Sequence, residues 1–155
     1  MARPRGNQAT RRRRGERSDV TGYSGTPLRE KLGIKAGFTV CVRGAPRPYT
    51  SLVASLPADL RIRSTVSGRT DLVHLFATDR ARLSTELRGA RRRLRDDAAI
   101  WVSWPKQASG VATDITEDVL RALALPLGLV DIKVCAVDAT WSGLKLVVRK
   151  ENRKH

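Results

Sequence analysis

The chain has little of what metalloenzymes, secreted proteins and membrane proteins are built from. It carries 2 cysteines, 2 histidines and 1 methionine in 155 residues, and aromatic residues make up 5%. No run approaches the roughly 18 apolar residues of a membrane span. The arginine-rich start has no apolar stretch behind it and does not read as a secretory signal. The cytosol is therefore the expected location, and a membrane is not an expected partner. Neither His74 nor His155 stands at ligand spacing from Cys41 or Cys135, so no metal site is read. Both cysteines lie in apolar runs, FTVCV and IKVCAV, where a reduced thiol behaves as a small buried hydrophobe.

Acidic residues are also few. Against 30 Lys plus Arg stand 15 Asp plus Glu, a formal charge of +15, which makes nucleic acid a candidate partner. Residues 1–20 hold seven Arg against Glu16 and Asp19, a net of +5, leaving +10 for the rest. That first segment, with Arg11, Arg12, Arg13 and Arg14 in a row, is too polar to repay ordering and is expected to be a disordered basic tail. It reads equally as a solubilising extension or a phosphate-binding arm. Residues 21–150 are expected to form one domain, with 151–155 a short basic tail; a hydrophobic content of 41% suffices for a single core.

Within that domain Thr26, Pro27 and Gly33 bracket a short helix as cap, first position and stop. Phe38 to Gly44 reads as a central strand, Tyr49 to Leu56 as a short helical segment ended by Pro57, and Leu60 to Ser64 as an edge strand. Asp71 to Thr78 is a second buried strand. Asp79 then caps a helix to about Arg95, with Leu83, Leu87, Ala90 and Leu94 at helical spacing. Its outer face carries Arg80, Arg82, Arg88, Arg91, Arg92, Arg93 and Arg95, a solvated face or a phosphate-contacting one. Ala98 to Pro105 is a buried strand, Asp114 and Glu117 open a helix at capping-box spacing that Gly128 closes, and Val130 to Val148 forms a hairpin.

Strands alternating with helices predict an α/β fold of three layers, a mostly parallel sheet of about six strands with an antiparallel hairpin at its C-terminal end. Thr65 to Thr70 is too short for an ordinary parallel crossover. Either the edge strand is antiparallel, or this segment runs extended down the sheet.

Two resemblances follow. GYSGTPL (22–28), DLVHLF, WVSWPK (101–106), SGVATDITEDVLR (109–121) and LGLVDIKVCAVDATWSGLKLVVR (127–149) resemble a bacterial family catalogued as domain of unknown function 3052, which implies no particular activity. More distantly, the strand, helix and closing hairpin resemble the end of a class I S-adenosylmethionine methyltransferase, a Rossmann-like fold. That resemblance implies a glycine-rich turn after the first strand and an acid after the second. Here stand Arg43-Gly44-Ala45-Pro46 and Ser64-Thr65, with one glycine and no acid, so the fold reads as a degenerate one and no cofactor is assigned.

Open α/β sheets bind at the carboxyl ends of their strands. Gly44, Ser103, Trp104, Lys106, Ser109, Gly110 and Trp141 fall at that edge, the two tryptophans in loops, and form the candidate ligand site for an anionic small molecule or a protein partner. The competing account packs Trp104 on Trp141 as a lid, leaves Lys106 solvated, and pairs Asp138 with Lys145 across the hairpin. His74, mid-strand with no nucleophile beside it by spacing, reads as a hydrogen-bonded core histidine before a general base. Three functions are carried forward. A non-catalytic binding or regulatory domain is preferred. The alternatives are nucleic-acid binding through Arg11 to Arg14 with Arg88, Arg91 and Arg92, and a divergent methyltransferase-like enzyme.

Overall fold

The computed structural model describes residues 25–153, so Arg11 to Arg14 lie outside it. Its helices are α1 (Leu28–Leu32), α2 (Tyr49–Leu52), α3 (Arg80–Arg93) and α4 (Glu117–Ala124). Its strands are β1 (Thr39–Arg43), β2 (Arg61–Arg63), β3 (Leu72–Phe76), β4 (Ala99–Pro105), β5 (Leu129–Ala136) and β6 (Trp141–Val148). They form one sheet in the order β2-β1-β3-β4-β6-β5. Strands β2, β1, β3 and β4 pair in parallel, and β6 runs antiparallel between β4 and β5. This is the three-layer sheet with a terminal hairpin that the sequence predicts. Among the described residues no helix is long and apolar enough to cross a membrane.

The two faces are covered differently. On one, Leu83 and Leu87 of α3 and Leu120 and Ala124 of α4 pack on Cys41, Val73, Leu75, Ile100, Val102 and Leu144, an almost wholly aliphatic layer. Burying each such leucine is worth about 1.5–3 kcal/mol. On the other, Leu32 of α1 and Tyr49 and Leu52 of α2 meet Val40, Leu72, Phe76, Trp101 and Trp141. There Trp101 donates its indole N–H to the Leu32 carbonyl at 2.9 Å, and Gly143 leaves room for the ring, since a Cβ would sit 3.2 Å from it.

Several expectations shift. The cap of α1 is Pro27, not Thr26, and makes no side-chain bond to the first turn. Helix α2 stops at Leu52 because Val53 is already extended, and Ser55 and Asp59 then take positive φ. Thr116 caps α4, its hydroxyl accepting from Val119 N at 3.2 Å, while Asp114 turns away to another helix. Strand β2 is parallel to β1, so the edge strand is not antiparallel, and Thr65 to Thr70 brings the chain back through a turn closed by Thr70 N on the Ser67 carbonyl at 3.1 Å. This segment passes over β1 on the α3 face, where Val66 tucks against the core. At the far end Lys150–Asn152 makes a 3₁₀ turn, and Arg149 N bonds the Gly128 carbonyl at 2.8 Å. The β5–β6 register breaks between Asp131 and Lys133, leaving Ile132 unpaired in a bulge on the edge strand.

Candidate functional site

From β1 the chain passes to β2 on one side of the sheet, and β3 lies on the other. The crevice where such a sheet takes ligands is therefore at the carboxyl ends of β1 and β3. Gly44, at φ +76°, sits there, and any Cβ would collide with the Phe76 carbonyl oxygen, so the two strand ends touch. Beside it Arg43 is tied to both Glu86 oxygens, with Nη2 to Oε2 at 3.1 Å, and Nη1 donates to the Ser64 carbonyl at 2.7 Å. The Arg43 guanidinium holds the Glu86 carboxyl below its ordinary range. Free space among Arg43, Gly44, Phe76, Ala77, Arg82 and Leu83 comes to about 10 Å³.

The rest of the edge is cross-tied. Arg47 pairs with Asp138 at 3.2 Å, joining the loop after β1 to the hairpin turn. Asp138 also accepts from Thr140 N and Trp141 N at 2.8 Å, so it does not pair with Lys145. Lys145 is opposite Lys133 across the hairpin; burial, then Lys133 and Lys35, push its pKa down. Thr113 donates its hydroxyl to the Thr78 carbonyl at 2.7 Å, and Asp114 accepts from Arg80 N at 2.7 Å. With Asp79 accepting from Arg82 N, two carboxylates already occupy the start of α3.

Of the residues singled out at this edge, Lys106, Ser109 and Gly110 share one loop. The Ser109 hydroxyl is turned inward to the Lys106 carbonyl at 2.7 Å. Trp104 and Trp141 lie in strands, not loops, both buried. They belong to opposite cores, Trp104 under α3 and α4 and Trp141 under α1 and α2, so they form neither a stacked lid nor one binding wall. Ser103 is fully buried, its Oγ 2.7 Å from His74 Nε2, and Tyr49 OH lies 2.7 Å from His74 Nδ1. Neither histidine partner is near it in sequence. Burial pushes the His74 pKa down to about 3 and the Tyr49 hydroxyl up. A neutral imidazole, donating from one nitrogen and accepting at the other, satisfies both hydroxyls with no route to solvent, the arrangement of a core histidine.

The basic residues of α3 also separate. Arg88 bonds Ser84, and Arg91 reaches the Leu127 carbonyl and Asp96, while Arg92 lines a groove on the other flank of the helix. Sequence reasoning passed over Arg43 and Glu86. The signal was present: one charged residue closes an apolar strand, and one acid stands in a helix otherwise basic.

No family model matches the chain, and no curated protein matches its sequence. Solved structures do. A SAM dependent methyltransferase from Aquifex aeolicus matches with TM-score 0.56 at 12% identity, over 78% of this chain and 87% of that one. The fold is that of the class I S-adenosylmethionine-dependent methyltransferases. The ribosomal protein L11 methylase of Lactobacillus delbrueckii subsp. bulgaricus matches with TM-score 0.52 at 12% identity, over 77% and 74% of the two chains. Magnesium protoporphyrin IX methyltransferase of Synechocystis PCC 6803, solved with bound SAH, matches with TM-score 0.51 at 13% identity, over 74% and 75%. Likeness at such identity concerns the methyltransferase fold alone. The residues at this crevice do not fit the cofactor. Nucleoside-sized ligands need pockets of about 300 Å³ or more, whereas Arg43, Glu86 and the Gly44–Phe76 contact fill the space, and Ser64-Thr65 offers no carboxylate after β2.

Proposed function

We propose that the chain is a non-catalytic binding domain on a methyltransferase fold, with an anionic partner. The observation that carries this reading is the filled crevice at the ends of β1 and β3, where Arg43 is locked to Glu86 and Gly44 abuts Phe76. The net charge of +15 supplies the sign of the partner. The proposal includes a cytosolic location, and kinship with the bacterial domain of unknown function 3052 through WVSWPK and SGVATDITEDVLR. A small anion at the carboxyl edge is the second reading. Lys106, whose ammonium has no hydrogen-bond partner among the described residues, favours it, beside Gly110 at positive φ.

Isothermal titration of the full chain with S-adenosylmethionine and with S-adenosylhomocysteine tests the first reading. No saturable heat is expected from either compound. Saturable sub-millimolar binding of either would overturn it.

A further inference from the structure

The short passage from β2 to β3 leaves part of the α3 face without a helix above it. Between that passage and α3 lies a groove of about 190 Å³, walled by Thr65 and Val66 on one side and by Glu86, Gly89, Arg92 and Arg93 on the other. Arg43 lines it as well, already neutralised by Glu86. Arg92 and Arg93 are exposed and have no acidic or hydrogen-bonding partner among the described residues. Strand pairing sets Arg61 opposite Thr39 and Arg63 opposite Cys41. Cys41 belongs to the core under α3, so both arginines project on this same face, and both are exposed. Arg69, in the passage itself, is exposed too.

From this we infer that the groove and its arginine margin hold the phosphodiester backbone of a nucleic-acid duplex, without reading sequence. Three arguments select that occupant. The groove is smaller than the roughly 300 Å³ of a nucleotide-sized pocket, while its cations continue past it along β2 and α3, which suits an extended polyanion. Arginine presents a planar fork that matches phosphate. Among the described residues the aromatic side chains that stack on single-stranded bases are committed elsewhere: Tyr49, Phe76, Trp101, Trp104 and Trp141 are buried, and Phe38 is half-buried against the core under α1 and α2. The inference deepens the proposed function by naming its anionic partner, yet it can fail separately, because the two are tested with different ligands.

Gly89 makes a test possible that leaves charge unchanged. A Cβ there meets nothing within 4 Å, and glycine inside a helix is unfavourable, so Gly89→Leu fills the groove without harming the fold. The experiment is fluorescence anisotropy of the full chain with a labelled DNA duplex of about 20 base pairs, between about 50 and 200 mM salt. Arg92→Gln/Arg93→Gln is expected to weaken binding about tenfold and to flatten the salt slope by about 1.8. Gly89→Leu should weaken it several-fold with its melting temperature kept. Lys35→Gln/Lys150→Gln, the same charge removed outside the groove, should change affinity less than about twofold. Equal losses from the two charge pairs, an unaffected Gly89→Leu, or no binding at the lowest salt would each overturn the inference. So would displacement of the duplex by millimolar inorganic phosphate at constant ionic strength, which would assign the groove to a small phosphate instead.

Discussion

The two faces of the sheet are held by different physics. Under α3 and α4 the contacts are aliphatic and undirected, and long helices with leucines at helical spacing supply them. Under α1 and α2 the helices are five and four residues long, too short to cover a sheet by area. That face is specified by aromatic rings and by polar groups with fixed partners. His74 stacks on Phe76 at 4.2 Å between ring centres, Phe76 meets Trp141 edge-on, and Tyr49, His74 and Ser103 form a hydrogen-bonded row. Short elements hold a face when their contacts are directional, because each buried polar group left unpaired costs about 1–3 kcal/mol.

Breaking the aliphatic face should cost most. Leu87→Ala, at a site with no solvent exposure, is expected to lose about 3–4 kcal/mol in urea unfolding, through transfer and cavity terms together. The polar face should declare itself through pH. His74 stays neutral when folded down to about pH 3, whereas an unfolded histidine titrates near 6.5. Between those values the unfolded chain binds the extra proton, so stability is full above about pH 6.5 and falls as the pH drops. Going from pH 7 to pH 5 should cost about 2 kcal/mol. His74→Gln should be flatter over that window in parallel unfolding curves.

Ser103→Ala leaves one imidazole nitrogen unpaired and is expected to cost about 1–2 kcal/mol, with Tyr49→Phe in the same range. The smallest effect should come from Glu86→Gln. Its pair with Arg43 is partly exposed, and about 1 kcal/mol or less is expected by thermal melting. If Ser103→Ala proved as costly as Leu87→Ala, the contrast between the faces would collapse into one of burial alone.

What could be read from the sequence follows the same division. The strands at DLVHLF and AAIWVSWP are apolar but for Asp71, His74 and Ser103 because they are buried on both sides, and α3 announces itself by Leu83, Leu87, Ala90 and Leu94. Elements that lean on distant partners were legible only in part. Strand β2 was legible as an edge strand in Leu60 to Ser64, but its three exposed residues gave no direction, which only the pairing with β1 sets. Asp114 and Thr116 compete for one cap, and only the position of the α3 start decides between them. The placing of Trp141 and Trp104 depends on hairpin register, and a slip of one residue would exchange the faces. Ser103 looked like an edge hydroxyl because its partner is 29 residues away. The groove arginines were visible as charge, but not as two unpaired members of a cavity wall.

The bulge at Ile132 bears on how this protein behaves in concentrated solution. Strand β5 is an open edge with Val130, Ile132 and Val134 exposed, the composition on which copies of a chain zip together into aggregates. The extra residue bends the edge and throws its ladder out of step, so two such edges cannot align over their length. By this geometry the irregularity in the hairpin works against edge-to-edge pairing of two copies. Deleting Ile132 to straighten β5 is expected to increase self-association, read as larger particles by light scattering at equal concentration.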